Sequence, residues 1–325
     1  MIKFVSLKRK YKICDRLSKS ITMSLTTMLS GSRPEEKEFQ AIIKEHLPQK
    51  QLFKTNSDYS PFTAYEVMAP YFFTNQHYSS VSGTAFDYLA RAIIARKITN
   101  NKEGAYGKMV ARNGLEIFKR FSDEKQYALV KDRFEKDLDL FKKFIHDNGT
   151  SLEDIIPCTC RFARLDSIFR AGLPPDDPNI LLRDEISEIK EDLRNLCAVF
   201  EENFIPNAIE TDSVVIFNPT FGLMSNAVRG ADGDVFIDGT LFDFKTSKLT
   251  GYKWQDAAQL WGYYLLDEIS KAVEDESASI KEWAITRLAF YRARYGIIEY
   301  LDIEDITENA IEDTLTKLAK FFWPE

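Results

Sequence analysis

Between Gly230 and Thr246 the chain reads Gly-Ala-Asp-Gly-Asp-Val-Phe-Ile-Asp-Gly-Thr-Leu-Phe-Asp-Phe-Lys-Thr. The Asp238-Gly239 pair divides two short runs of strand-like residues, a strong local signal for a hairpin with a two-residue turn. Side chains alternate along a strand, so Asp243 and Lys245 share one face while Phe242 and Phe244 share the other. The preceding strand brings Asp234 alongside them, with Phe236 on its side and Val235 and Ile237 opposite. Inward positions on such strands are normally apolar. Carboxylates and a lysine placed there predict a site and not simply a core.

Two neighbouring carboxylates repel, and burying them is costly unless a cation compensates. Mg²⁺ or Mn²⁺ does so with oxygen ligands, here Asp234, Asp243 and the backbone carbonyl of Phe244. A metal so held suits work on phosphate: it polarises a phosphodiester and acidifies water. Lys245 is placed to orient that water and to balance developing negative charge. Taken alone, an Asp-x-Lys pair is most often a solvated surface pair; the upstream acids on the same hairpin shift that balance. Asp232 and Asp238 read as shoulder and turn residues. An EF-hand alternative fails because Phe236 falls at a ligand position and the loop glycine is displaced.

Around the hairpin, helical periodicity covers about 33–47, 83–96, 101–121, 123–146, 151–171 and 184–205. Residues 50–82 are irregular and aromatic. From Ser213 the period becomes two, predicting strands at 213–218, 226–230, 233–238, 240–246, 283–292 and 296–302, with helices at 254–270 and 304–321. The expected class is α+β: a mixed central sheet flanked by helices, with a largely helical N-terminal part. The expected divisions are a basic arm at 1–30, a mainly helical region at 31–183 contributing to a substrate channel, and a core at 184–325.

The 325 residues are 44% apolar and 29% charged, ordinary values for a chain with a sizeable core. No run is long enough to span a membrane. Met1–Ser20 carries Lys3, Lys8, Arg9, Lys10, Lys12, Arg16 and Lys19 against Asp15, with no long apolar stretch or cleavage site, so a secretory signal is not expected. Cys14, Cys158, Cys160 and Cys197 form neither a zinc knuckle nor a disulfide framework and read as reduced thiols of a cytoplasmic protein. His46, His77 and His146 lack ligand spacing. The net charge of −7 argues weakly against simple adhesion to nucleic acid, although charge is uneven along the chain.

With Gly230-x-x-x-Asp234 followed by Asp243-Phe244-Lys245-Thr246, the sequence resembles the PD-(D/E)XK nuclease superfamily. Gln259-Leu260-Trp261-Gly262-Tyr263 matches the Gln-x-x-x-Tyr helix of its RecB-like branch. These motifs span about 230–263. The resemblance implies a restriction-endonuclease-like core that cleaves DNA or, less often, RNA with Mg²⁺ or Mn²⁺. It implies Asp234 and Asp243 as metal ligands, Lys245 as the catalytic lysine, and Gln259 and Tyr263 as groups lining the site. The latter two are four residues apart and so share a helix face, where an amide and a phenol reach phosphate or brace an acid. Gln255 and Asp256 extend that polar row, though a solvated first turn explains them equally well.

Gly83–Leu89 resembles the branch's upstream region, with Asp87 where histidine is more usual. The further acid is Asp87 or Glu201, the latter at the edge of an apolar face running through Leu193, Leu196, Cys197, Phe200 and Phe204. No cysteine follows Cys197, so the iron–sulfur cluster of some relatives is not expected. Some Tyr and Phe residues between 59 and 88 are available to stack bases if they line a channel, although most are expected in the core. Arg91, Arg96, Lys97, Lys102 and Lys108 are available for backbone phosphates. The leading expectation is a metal-dependent deoxyribonuclease, exonuclease or endonuclease. The alternative is a noncatalytic nucleic-acid-binding or complex-forming protein on the same kind of fold.

Overall fold

The computed structural model describes residues 24–71, 73, 75–228 and 230–324. Cys14, the basic residues from Lys3 to Lys19, and Phe72 lie outside them.

Helices α1 (Leu25–Ser30) and α2 (Pro34–Glu45) lead to a two-residue strand, β1 (Lys54–Thr55). Then come α3 (Gln76–Lys97), α4 (Gly104–Gly107), α5 (Val110–Phe121), α6 (Glu124–Ile145), α7 (Leu152–Ala171), α8 (Ser187–Asn203) and α9 (Ile205–Ala208). The second half contains β2 (Val215–Phe217), α10 (Gly222–Ala227), β3 (Val235–Ile237), β4 (Thr240–Lys245), α11 (Trp254–Ala272), β5 (Arg287–Arg292), β6 (Ile297–Asp302) and α12 (Glu308–Phe322). The architecture is α+β, with one mixed six-stranded sheet in the order β1-β6-β5-β4-β3-β2.

β3 and β4 form the expected hairpin, pairing Val235 with Phe242 and Ile237 with Thr240. Its turn has positive φ at Asp238 (44°) and Gly239 (90°), the backbone a two-residue primed turn requires. A Cβ on Gly239 would stand 2.7 Å from Thr286 Oγ1, so glycine also makes room there. Asp238 is a turn residue as expected, with Oδ1 accepting the Val214 N–H at 2.8 Å. β4 and β5 are parallel. Parallel neighbours need a crossover, and α11 supplies it.

Alternation then divides the core. Val235, Ile237, Phe242, Phe244, Ala289 and Tyr291 face the cluster built with α3 and α5–α8. Phe236, Leu241, Leu288 and Phe290 face the cluster built with α1, α2, α10, α11 and α12. Phe200 and Phe204 stack at 4.6 Å between ring centroids, and Phe242, Phe244 and Tyr291 meet Phe204 edge-on. Such pairs add to the burial of their area.

Several expected elements differ. The strand expected at 226–230 is not seen among its described residues: α10 occupies 222–227, because the small residues Gly222, Ser225 and Ala227 let this turn pack against α11. Residues 25–30, expected within a basic arm, form α1 and bury Leu25, Met28 and Leu29. The irregular stretch contributes β1, which pairs Lys54 with Tyr300 at the sheet edge. Phe62, Tyr65, Phe73, Phe86 and Tyr88 are buried, and Tyr59 is exposed. The buried rings are therefore packed among other side chains and not displayed as a stacking platform.

A buried polar network joins the helical layer to the sheet. Arg294 binds both carboxylate oxygens of Asp192 at 2.7 and 3.0 Å. The Asp192 Oδ2 also accepts from Ser82 Oγ at 2.6 Å, and Arg294 Nε donates to Thr246 O at 2.6 Å. Removing one partner of a buried pair strands the other charge. Asp192→Ala is expected to lower unfolding free energy by about 3–5 kcal/mol. Glu153→Ala, which breaks the exposed pair with Arg194, should cost under about 1 kcal/mol. Urea unfolding midpoints of the two variants measure the contrast.

Asp267 on α11 is a second buried acid, 0% exposed and 2.5 Å from Lys271, with neither oxygen hydrogen-bonded. Burial pushes its pKa to about 6 against the pull of Lys271. The folded protein thus holds this proton more tightly than the unfolded chain, and stability falls as pH rises from about 4 to about 6. Asp267→Asn is expected to flatten that slope and to raise stability at pH 7 by about 1–3 kcal/mol, read from thermal unfolding across the same pH range.

Candidate functional site

β4 carries Asp243 and Lys245 on the face opposite Phe242 and Phe244. Asp243 is 6% exposed, and its Oδ2 lies 2.7 Å from Lys245 Nζ. This ion pair is the one contact that the buried Oδ2 makes with a donor group. Lys245 Nζ also stands 3.7 Å from Asp256 Oδ1, on the first turn of α11. Asp234, at the entry to β3, accepts the Phe244 N–H at 2.6 Å. Phe244 thus meets Asp234 through its amide, a contact that fixes the carboxylate against the neighbouring strand and leaves its other oxygen for a ligand.

Asp87 lies on α3, the helix whose Gly83 passes close to Thr246. Its charge and those of Asp234 and Asp243 act on one another. Burial, then the charge of Asp234, holds the Asp87 carboxyl well above its usual range, against the pull of Arg91. Burial and the charge of Asp243 push Asp234 up to about 7, opposed by the Phe244 N–H, Arg91 and Lys245. Burial also raises Asp243, with Lys245 opposing. Burial works to strip the Lys245 proton, but Asp243 and Asp256 outweigh it and hold the amine above its ordinary range.

On α11, Gln259 Nε2 donates to the Tyr263 hydroxyl at 2.7 Å. The Tyr263 ring is buried and stacks on Phe221 at 5.3 Å between centroids. Burial, then Asp232 and Asp243, raises its pKa well above the usual value. The hydroxyl therefore stays protonated beside the acids and keeps its own hydrogen to donate.

The structure thus gathers Asp87 from α3, Asp234 from the entry to β3, Asp243 and Lys245 from β4, and Gln259 and Tyr263 from α11. It does not bring Glu201 to them: that side chain is exposed on α8, where its charge bears on Cys197. Gln255 is exposed as well. Asp256 faces Lys245, a role beyond the bracing of Gln259 expected from its spacing. Asp232, expected as a shoulder, acts on Tyr263 and on Arg170.

Arg91, one helical turn after Asp87, is 6% exposed with Nε and Nη1 unpartnered. It is a buried counter-charge to Asp87 and Asp234 and not part of a solvated basic face. Its i, i+4 spacing from Asp87 was the available signal. Arg96 instead pairs with Asp147. Arg170, which hydrogen-bonds Asp166 at 2.5 Å, carried no sequence signal; it arrives through the packing of α7.

Asp87, Asp232, Asp234, Asp243 and Asp256 together outnumber Lys245, Arg91 and Arg170, and Asp243 Oδ2 has the Lys245 ammonium at 2.7 Å and no other donor. These acids offer carboxylate oxygen, the donor type a hard divalent ion takes. Their oxygens are spread and not clenched: among the described residues, the trio whose ligand atoms all fall within 4.8 Å is Glu45, His46 and Asp313. That trio is threaded by Lys317, at 2.6 Å from both Glu45 and Asp313, and is an ion-pair network. Cys158, Cys160 and Cys197 are buried free thiols, with Cys158 pushed up to about 12 by burial. Among the described residues no helix is long and apolar enough to cross a membrane.

No family model, curated protein or solved structure matches the chain.

If the acids hold a divalent ion, Mg²⁺ or Mn²⁺ should raise the melting temperature of the wild type, as any ligand of the folded state does. Asp243→Asn should abolish that shift. In chelator the same variant should be more stable than wild type by about 1–2 kcal/mol, because a repelling buried charge is gone. Differential scanning calorimetry with and without metal reads both effects.

Proposed function

We propose that this protein hydrolyses phosphodiester bonds of nucleic acid, DNA foremost, with Mg²⁺ or Mn²⁺, as a RecB-like member of the PD-(D/E)XK nucleases. The observation that carries this reading is the convergence of Asp243 and Lys245 from β4, Asp234 from the entry to β3, and Asp87 from α3. They meet opposite the Gln259–Tyr263 pair of α11. A mixed sheet flanked by helices is the setting such a site calls for.

Asp87, Asp234 and Asp243 would hold the ion. A divalent cation there supplies Lewis-acid polarisation of the phosphodiester and lowers the pKa of water. Lys245, held between Asp243 and Asp256, stays an ammonium. It donates a hydrogen bond and balances charge on the attacked phosphate without accepting a proton. Tyr263 donates its hydroxyl hydrogen to a phosphate oxygen or an acid, while Gln259 fixes the direction of that hydroxyl. Asp256 keeps the Lys245 amine aligned along the strand. Rigid β4 and α11 set these positions within the tolerances a reacting geometry needs.

The spread of the three carboxylates favours a second reading, a protein that binds nucleic acid or partners through this fold without cutting. Cleavage assays on single-stranded DNA, duplex DNA and RNA, with Mg²⁺, Mn²⁺ or chelator, separate the two. Metal-dependent cleavage of DNA is expected, falling at least about a thousandfold in folded Asp243→Ala and Lys245→Ala, a loss of about 4 kcal/mol in barrier. Wild-type rates in both variants would remove the site; binding without cleavage in either metal would establish the second reading.

A further inference from the structure

Beside the acids lies a cavity of about 650 Å³ that the hydrolytic site does not use. Its walls come from the start of α5, the end of α7 and the strap from Asn218 to Asp232. This size falls in the range of small-ligand sites, roughly 300–1,000 Å³. Backbone pairing fastens it to the acids: the Asn218 N–H donates to Asp234 O at 3.2 Å, Gly233 N–H to Pro219 O at 3.0 Å, and Thr220 bridges Asp232. Asp232 lines the cavity and also acts on Tyr263, so the two spaces share a wall.

The lining has the chemistry of a nucleotide site. Phe169 is 44% exposed, an unusual position for so large a ring, and it faces this space. Base–aromatic stacking needs one free aromatic face of this kind. Lys108 and Arg112 stand exposed on the rim, where phosphates flanking a seated base would pass. Asn218 lines the wall at 9% exposure, and its Oδ1 has no hydrogen-bond partner. Its amide nitrogen makes a long contact with Lys108 O at 3.5 Å. Turning the carboxamide toward the cavity forfeits little and gives its isolated oxygen a donor on a base edge. Asn218 sits at φ 46°, a backbone asparagine tolerates better than most residues.

We propose that this cavity seats one nucleobase of the substrate strand, stacked on Phe169 and hydrogen-bonded by Asn218, and so sets the register in which the strand meets Asp234 and Asp243. The inference rests on the nuclease reading for its substrate, but its own content is a base-binding step separable from hydrolysis. A solvent-exposed ring awaiting a protein partner is the competing account of Phe169.

The test walks a single abasic position through a single-stranded DNA oligonucleotide and measures affinity by fluorescence anisotropy, with wild-type protein in chelator. One register is expected to weaken binding about tenfold, in line with the loss of one stacked base. Phe169→Ala should weaken the intact strand by a similar factor and respond no further to the abasic position, since both remove one interaction. Asn218→Gly, which keeps the left-handed backbone, should lose about fivefold at the same register.

Affinity that stays flat through the walk, or losses from Phe169→Ala and the abasic site that multiply, would overturn the subsite even if DNA is cleaved. Register-dependent binding that needs Phe169, with no cleavage in Mg²⁺ or Mn²⁺, would uphold the subsite and remove the hydrolytic reading. A strand neither bound nor cut would end both.

Discussion

The Asp192–Arg294 pair is the joint on which the architecture turns. Arg294 follows β5, Asp192 belongs to α8, and their bidentate contact is buried at the seam between helices and sheet. The same guanidinium holds the carbonyl of Thr246, the residue after Lys245, and Ser82 brings α3 into the network. Water cannot reach these groups to compensate for misplacement. The exit of β4, the approach of α3 and the tilt of α8 are consequently fixed together. The position of Asp87 relative to Asp243 follows from that joint.

The site itself is built on an electrostatic imbalance. Sheet packing dries Asp243, and the neighbouring strand and α3 add Asp234 and Asp87; burial raises all three carboxyls, and the charge of a neighbouring acid adds to it, Asp234 on Asp87, Asp243 on Asp234 and Asp256 on Asp243. Lys245 and Arg91 offset part of that cost without removing it. Such a cluster is a poor way to stabilise a fold and a good way to hold a cation. The Gln259–Tyr263 pair then places a neutral amide and phenol at the edge of the charged zone, beside Asp232.

Much of this was legible locally. The Asp-Gly turn, the alternation of Phe242 and Phe244 with Asp243 and Lys245, and the four-residue spacing of Gln259 and Tyr263 follow from strand and helix periodicity alone. The expectation failed where local pattern and packing disagreed. A period of two predicted a strand from 226, but α10 runs to Ala227 because its small side chains fit against α11. The two residues of β1 are too few to read as a strand and exist because β6 offers an open edge. The aromatic residues between 59 and 88 mostly fill the core, as expected of a chain this rich in them.

The sequence by itself determined the hairpin, the faces of its charged residues and the helix that accompanies them, because these depend on periods of two and 3.6 within one segment. Only the tertiary structure placed Asp87, and not Glu201, beside Asp234 and Asp243, turned Arg91 and Asp256 into partners of the acids, and opened a cavity beside Asp232. Those outcomes depend on which distant helices meet across the sheet. Contact between residues far apart in the chain is set by the shape of the whole core, and no local pattern encodes it.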